Sequence, residues 1–136
     1  MPYPICVVDG ISPGIAKKLL DARVKTTRKL LQAASTPQGR KLLAKQTGLD
    51  AAAILRCANM ADRMRIKGVG RESAELLEAA GVDTVRELRY RNPANLASRM
   101  KSAMKNAKLI RPLPSERVLS RWIEDARKLK LEIRYK

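Results

Sequence analysis

The sequence contains no histidine and no phenylalanine, and its only aromatic side chains are those of three tyrosines and one tryptophan. Without histidine, the chain lacks the most common general base, the usual partner of a nucleophilic serine or cysteine, and the most frequent metal ligand. So few rings also offer little surface on which the bases of a single-stranded nucleic acid could stack. Most classes of enzyme and single-strand binding are therefore disfavoured.

Cysteine and long apolar runs are scarce as well. Cys6 and Cys57 are far apart in sequence and lack the paired spacing of a zinc or iron–sulfur site, so we interpret both as small buried residues in a reducing compartment. No segment has the pattern of a signal peptide, and no apolar run approaches the ~20 residues of a membrane span. We predict a cytoplasmic protein that needs no cofactor, no metal and no membrane.

Acidic residues are few relative to basic ones. The chain carries 29 lysines and arginines against 13 aspartates and glutamates, which gives a formal net charge of +16. A basic excess of this size most often neutralises the phosphates of nucleic acid, and less often those of a membrane surface. The charge therefore favours a polyanionic partner over a small-molecule substrate.

Proline, glycine and capping residues divide the chain into helical segments rich in leucine and alanine, which are strong helix formers. Ser12, Thr36 and Asn92 are predicted N-caps, because each is followed by a proline, which is favoured at the first position of a helix. Further N-caps are predicted at Asp50, Thr84 and Ser115, and left-handed helix ends at Gly48 and Gly81. An all-α fold is expected, with helices over roughly 37–47, 51–64, 93–108 and 116–129 among others.

Two terminal segments do not follow a helical pattern. Residues 5–8 form a short β-branched run, and residues 129–136 alternate apolar and polar side chains with a period of two. The two segments are predicted to pair as a small β-ribbon, or else the C-terminal segment is an extended terminus. The pattern does not distinguish these alternatives.

An internal repeat becomes visible when the sequence is shifted against itself by 58 positions. Val8 then falls on Ile66, Gly10 on Gly68 and Leu19 on Leu77, and further apolar positions coincide up to Leu30 and Leu88. Each copy is followed by two more helical patterns. We therefore divide the chain into a first repeat over residues 1–64 and a second over residues 65–136, packed as one compact domain.

The repeated unit is a helix, a tight glycine-containing turn and a second helix. In Gly68-Val69-Gly70 the glycines allow a sharp turn and leave the backbone amides uncovered, while Val69 is expected to point inward. The next helix begins at this turn, so its unpaired N–H groups and the positive end of its dipole favour an anion such as a phosphate oxygen.

This segment resembles the helix-hairpin-helix motif of DNA-binding proteins, and residues 66–77 match its pattern of apolar, glycine and alanine positions in full. The first copy departs from it, since Ser12-Pro13 stands where the pattern has the second glycine and its successor. Serine tolerates a left-handed turn poorly, and its hydroxyl would cap the helix instead. The whole layout also resembles a bacterial family of two hairpins with extra helices, catalogued only as a domain of unknown function. The resemblance implies duplex DNA binding without sequence preference, in which two hairpins related by approximate two-fold symmetry each contact one strand across the minor groove.

The candidate phosphate-binding residues fall into three groups. In the second hairpin we expect contact mainly through backbone amides, and in the first mainly through lysine side chains. In the two C-terminal helices, basic residues recur at helical spacing opposite the apolar stripe. The candidates are Gly10, Ser12, Gly14, Lys17 and Lys18 in the first hairpin; Lys67, Gly68, Gly70 and Arg71 in the second; and Lys101, Lys105, Lys108, Arg117, Arg121 and Lys128 in the C-terminal helices.

Other functions are less well supported by the sequence. Glu72, Glu75 and Glu78 recur at three-residue spacing, but favourable placement on one exposed helix face accounts for them without a metal. The chain has no P-loop and no convincing acidic triad, so we do not expect an enzyme. The prediction is a nucleoid-associated or repair-accessory protein that binds double-stranded DNA. Duplex RNA, a ribosomal role or a protein partner stay open as alternatives.

Overall fold

The computed structural model describes residues 3–8, 10–107 and 112–136, and within these ranges its secondary-structure elements are all helices, as predicted for an all-α fold. A short 3-10 helix at Ile5–Val7 precedes eight α-helices. They are α1 (Pro13–Asp21), α2 (Thr27–Ala33), α3 (Pro37–Thr47), α4 (Ala51–Arg63), α5 (Arg71–Ala79), α6 (Val85–Leu88), α7 (Pro93–Ala107) and α8 (Glu116–Lys128). No helix in these ranges is both long enough and apolar enough to cross a bilayer.

Capping side chains set most of the helix starts, which confirms the predicted N-caps. The hydroxyl of Ser12 accepts a hydrogen bond from the Ile15 amide at 3.3 Å, and the carboxylate of Asp50 accepts one from the Ala53 amide at 2.7 Å. Equivalent bonds are formed by Thr36, Thr84, Asn92 and Ser115. Each bond satisfies an amide that has no partner within its own helix.

The backbone repeats itself at the 58-residue offset seen in the sequence. Helix α1 corresponds to α5 from first to last residue, and α2 and α6 begin at equivalent positions. The hydrogen bonds correspond too. The Val24 amide donates to Leu19 O and the Val82 amide to Leu77 O, both at 2.9 Å. The two segments thus share one local backbone arrangement.

A single aliphatic core joins the two repeats. The apolar stripes of the later helices contribute buried residues from α4 (Ile54, Ala58, Ala61), α7 (Leu96, Met100) and α8 (Leu119, Trp122, Ala126). Helix α4 packs against α2 and α3 of its own repeat and also against α5 and α6 of the next. The two C-terminal helices pack against each other, α7 also against α5, and α8 also against α6.

The predicted terminal β-ribbon was wrong, and the alternative of an extended C-terminal segment describes the structure. Residues 5–7 form the 3-10 helix, and no strand occurs in the described ranges. Residues 129–136 run along the helices. Their carbonyl oxygens accept hydrogen bonds from guanidinium groups and not from a partner strand. Arg65 donates to Lys130 O at 3.0 Å, and Arg40 donates to Arg134 O at 2.8 Å.

The two cysteines differ in their surroundings. Cys57 is buried in α4, where burial raises the pKa of its thiol and makes it a small apolar core residue. Cys6 is exposed on the 3-10 helix, so the prediction that both cysteines are buried was wrong for this one. The reason is the short helix itself, which turns Cys6 outward while Ile5 enters the core.

Arg63 is an arginine of the hydrophobic core. It ends α4 with only 1% of its surface exposed, donates from Nε to Ala74 O at 3.1 Å, and donates from Nη1 to Asp83 O. It therefore fixes α4 to α5 and to the segment before α6. Burial lowers the pKa of its guanidinium from the ordinary value.

One position of the repeat carries backbone strain. Arg23 has φ +66°, in the left-handed region, where the second copy has Gly81 at φ +88°. This conformation destabilises the folded state by about 1–2 kcal/mol for a residue with a Cβ. Glycine avoids this strain but loses more conformational entropy on folding, so the net gain in stability is smaller. We expect Arg23→Gly to raise the free energy of unfolding by about 0.5–1 kcal/mol, measured by urea titration.

Arg23→Ala is the control for this change, because it removes the same charge but keeps the Cβ. It should leave stability unchanged to within about 0.5 kcal/mol. Equal stability of the glycine and alanine variants would contradict the proposed strain.

Candidate nucleic-acid interface

The second glycine turn lies at the surface, just before α5. Lys67 and Gly68 are exposed, whereas Val69 is only 2% exposed and points into the core as predicted. Gly68 has φ +88°, but Gly70 has φ −91° and is the N-cap of α5 without a side-chain cap. Only the first glycine therefore requires left-handed backbone. The helix start is left without a capping side chain.

The first copy places a different residue at the N-cap. Ser12 stands where Gly70 stands in the second copy, with φ −65°, and its hydroxyl caps α1. The expected conflict between serine and a left-handed turn does not arise, because this position is extended in both copies. The expectation that the hydroxyl caps the helix is confirmed.

Gly10 packs against the protein itself. It is partly buried, and a Cβ added there would stand 2.0 Å from Met60 Cε, so the turn depends on the absence of a side chain. Its carbonyl accepts a hydrogen bond from Arg56 at 2.7 Å, and Arg56 also pairs with Glu78 at 2.8 Å. The open part of the first copy is instead the start of α1, where Ser12, Gly14, Lys17 and Lys18 are all exposed.

A cleft of about 550 Å³ separates the second turn from α8. Lys67 and Gly68 line one side, and Val118, Arg121 and Trp122 line the other. The acidic residues Glu124 and Asp125 complete its wall. Arg121 was predicted from the C-terminal basic stripe and Lys67 from the hairpin, so the structure brings members of two separate candidate groups into one site.

The other candidates of the C-terminal helices lie outside this cleft. Arg117 and Lys128 are exposed on α8, before and after Arg121. Lys101 and Lys105 are exposed on α7, whose neighbouring residues 98–103 line a groove with the C-terminal end of α5. Lys108 and the side chain of Arg71 lie outside the described residues, although the Arg71 backbone begins α5.

The arginines that bond to the protein's own backbone are different residues from the candidate cations. Seven arginines donate hydrogen bonds to backbone carbonyls of the protein: Arg40, Arg56, Arg63, Arg65, Arg89, Arg91 and Arg127. None of them was a candidate site residue. The exposed candidate cations form no salt bridge with any residue that the structure describes. They are Lys17, Lys18, Lys67, Lys101, Lys105, Arg117, Arg121 and Lys128.

Comparison with known proteins places the chain in a family. No curated protein and no solved structure matched it. One family model, described as "Domain of unknown function (DUF4332)", matches residues 9–129. The match contains both glycine turns and all eight α-helices. The chain therefore belongs to the family described as domain of unknown function DUF4332.

Proposed function

We propose that this protein binds double-stranded DNA through the sugar-phosphate backbone, without reading the base sequence. The observation that carries the proposal is the cleft in which the exposed Lys67-Gly68 turn faces Arg121. Both cations are exposed and have no carboxylate partner among the described residues. Phosphate contacts fix a protein on the duplex but carry no sequence information directly.

The repeated backbone supports assignment of both copies to the helix-hairpin-helix class. In each copy the glycine-containing turn is followed by a helix that begins at the surface, with Gly14 in α1 surrounded by open space and Gly70 at the start of α5. The dipole and the amides of such a helix start favour an anion. In this proposal the two hairpins are related by approximate two-fold symmetry, and each contacts one strand across the minor groove.

The contacts differ between the copies. In the second, the Gly68 and Gly70 backbone acts together with Lys67 and Arg121. In the first, Gly10 is committed to packing, so Lys17 and Lys18 supply the main contact beside the start of α1. A cytoplasmic, nucleoid-associated or repair-accessory role without catalysis fits these contacts.

A salt titration of duplex binding tests the proposal. If roughly five to eight phosphates are neutralised, the logarithm of the affinity should fall with the logarithm of salt at a slope of about −4.5 to −7. Fluorescence anisotropy of a labelled duplex measures this slope, and a duplex of scrambled sequence should bind equally well.

Three outcomes would contradict the proposal. A slope near zero would show that binding does not depend on phosphate contacts. A strong dependence on base sequence would contradict recognition without sequence preference. Tighter binding to a duplex RNA of the same length would move the function to RNA. A single strand of the same sequence is the fourth probe, and it should bind more weakly because the structure has few exposed aromatic rings.

A further inference from the structure

The indole of Trp122 is almost wholly enclosed and yet has an unused hydrogen-bond donor. Its side chain lies in the core with 4% of the residue exposed. Its N–H donates no hydrogen bond to any residue in the described ranges, where every fully enclosed side-chain nitrogen or oxygen has a partner. The indole nitrogen must therefore keep contact with the outside, since tryptophan N–H groups without a partner are costly to bury.

The opening beside this nitrogen is the cleft at the second glycine turn. A Cβ added to Gly68 would stand 3.2 Å from Trp122 Nε1, so only the absence of a side chain keeps the donor uncovered. Lys67 and Arg121 lie on the two sides of the same cleft. The apolar stripe of α8 accounts for the burial of the Trp122 ring but not for its N–H.

These three side chains share one chemical property. Lysine, arginine and tryptophan can donate hydrogen bonds and cannot accept them. A ligand that satisfies all three must accept hydrogen bonds. Glu124 and Asp125 also line the cleft, so its cations and carboxylates are equal in number. An anion is favoured because Lys67 and Arg121 form no salt bridge with a described residue and share the cleft with the N–H of Trp122.

We propose that the indole N–H of Trp122 donates a hydrogen bond to a phosphate oxygen of duplex DNA seated between Lys67 and Arg121. This inference rests on the proposed function and adds a contact from α8, outside both hairpins. A hydrogen bond from a pre-positioned donor to a charged oxygen is among the stronger ones in proteins. Because the ring is already held by the core, the donor loses little freedom when the phosphate binds.

Trp122→Phe tests the contact, because phenylalanine keeps an aromatic ring in the core and lacks the N–H. We expect duplex affinity to fall about tenfold at constant salt, as for loss of a hydrogen bond to a charged group. The slope of the salt dependence should stay unchanged, since no charge is removed.

Tyr135→Phe is the matched control. It removes an aromatic hydroxyl that bonds to Asn59 at 2.7 Å, away from the cleft, and should leave duplex affinity unchanged.

A second measurement uses the unaltered protein and does not depend on how the variant folds. Trp122 is the only tryptophan, so a two-dimensional nitrogen–proton spectrum contains a single indole N–H signal. Addition of a short duplex should move this signal downfield and slow its exchange with water, with the same midpoint as the anisotropy titration. An indole signal that does not respond would overturn the inference.

The outcomes separate this inference from the function on which it rests. Salt-dependent duplex binding together with a silent indole signal, or with a folded Trp122→Phe variant of unchanged affinity, removes the Trp122 contact and leaves the proposed function standing. Absence of duplex binding in the unaltered protein removes both.

Discussion

Alanine at both Lys67 and Arg121 is expected to weaken duplex binding about 30-fold at about 0.15 M salt. At this salt concentration, each phosphate contact contributes about 1 kcal/mol through counterion release, so the loss of two contacts amounts to about 2 kcal/mol. The slope of log affinity against log salt should become less negative by about 1.8. Anisotropy titrations of the same duplex at several salt concentrations measure both quantities.

The control for this experiment is a pair of lysines elsewhere. Lys41 and Lys45 are exposed on α3, and their replacement by alanine also lowers the net charge by two. If the cleft at Gly68 binds phosphate, this variant should lose less than about threefold in affinity and keep its slope. Equal losses in the two variants would show that the duplex responds to overall charge, and the cleft would no longer be the contact site.

Arg63→Ala is expected to lower the free energy of unfolding by about 3–5 kcal/mol, the largest effect on stability that we predict. The guanidinium donates hydrogen bonds to Ala74 O and Asp83 O, which join α5 and the segment before α6 to α4. Its removal leaves two carbonyl groups without that donor and opens a cavity in the core. Urea unfolding followed by circular dichroism measures the change.

Two further variants identify the source of that loss. Arg63→Met fills most of the volume and removes only the hydrogen bonds, so it should recover part of the stability and remain at least about 1 kcal/mol below the unaltered protein. Arg86→Ala removes an exposed arginine of α6 and should change stability by less than about 0.5 kcal/mol. A buried arginine that tolerated alanine as well as Arg86 does would contradict the structural role assigned to it.

The helices could be predicted because their signals are local. Ser12, Asp50 and Ser115 each bond to an amide three residues ahead, so the residue type and the start of the apolar stripe are enough to place the cap. The same holds for the left-handed ends at Gly48 and Gly81. The repeat could also be found, since equal spacing of glycine and apolar residues persists in the sequence.

The tail and the buried arginine could not be predicted in this way. An alternating segment presents the same pattern whether its carbonyls bond to a strand or to guanidinium groups from distant helices, as they do at Arg40 and Arg65. Nothing in the sequence around Arg63 distinguishes it from the exposed arginines, because its partners lie 11 and 20 residues away.

The candidate site was predicted in its parts but not in its arrangement. Lys67 and Gly68 followed from the turn, and Arg121 from the basic stripe of α8. That these residues share one cleft depends on how α8 packs against the rest of the core. The donor on Trp122 was missed for the same reason, since an apolar stripe gives the position of a ring and not the direction of its N–H.

The arginines that hold the fold together bind mainly to neutral carbonyl oxygens. Hydrogen bonds to a neutral acceptor are weakened little by added electrolyte, whereas contacts with DNA phosphates depend on it steeply. A salt concentration high enough to dissociate the protein from nucleic acid should thus leave its fold intact. Release and denaturation then become separate events, so the protein can be washed from its polyanion and recovered in a form ready to bind again.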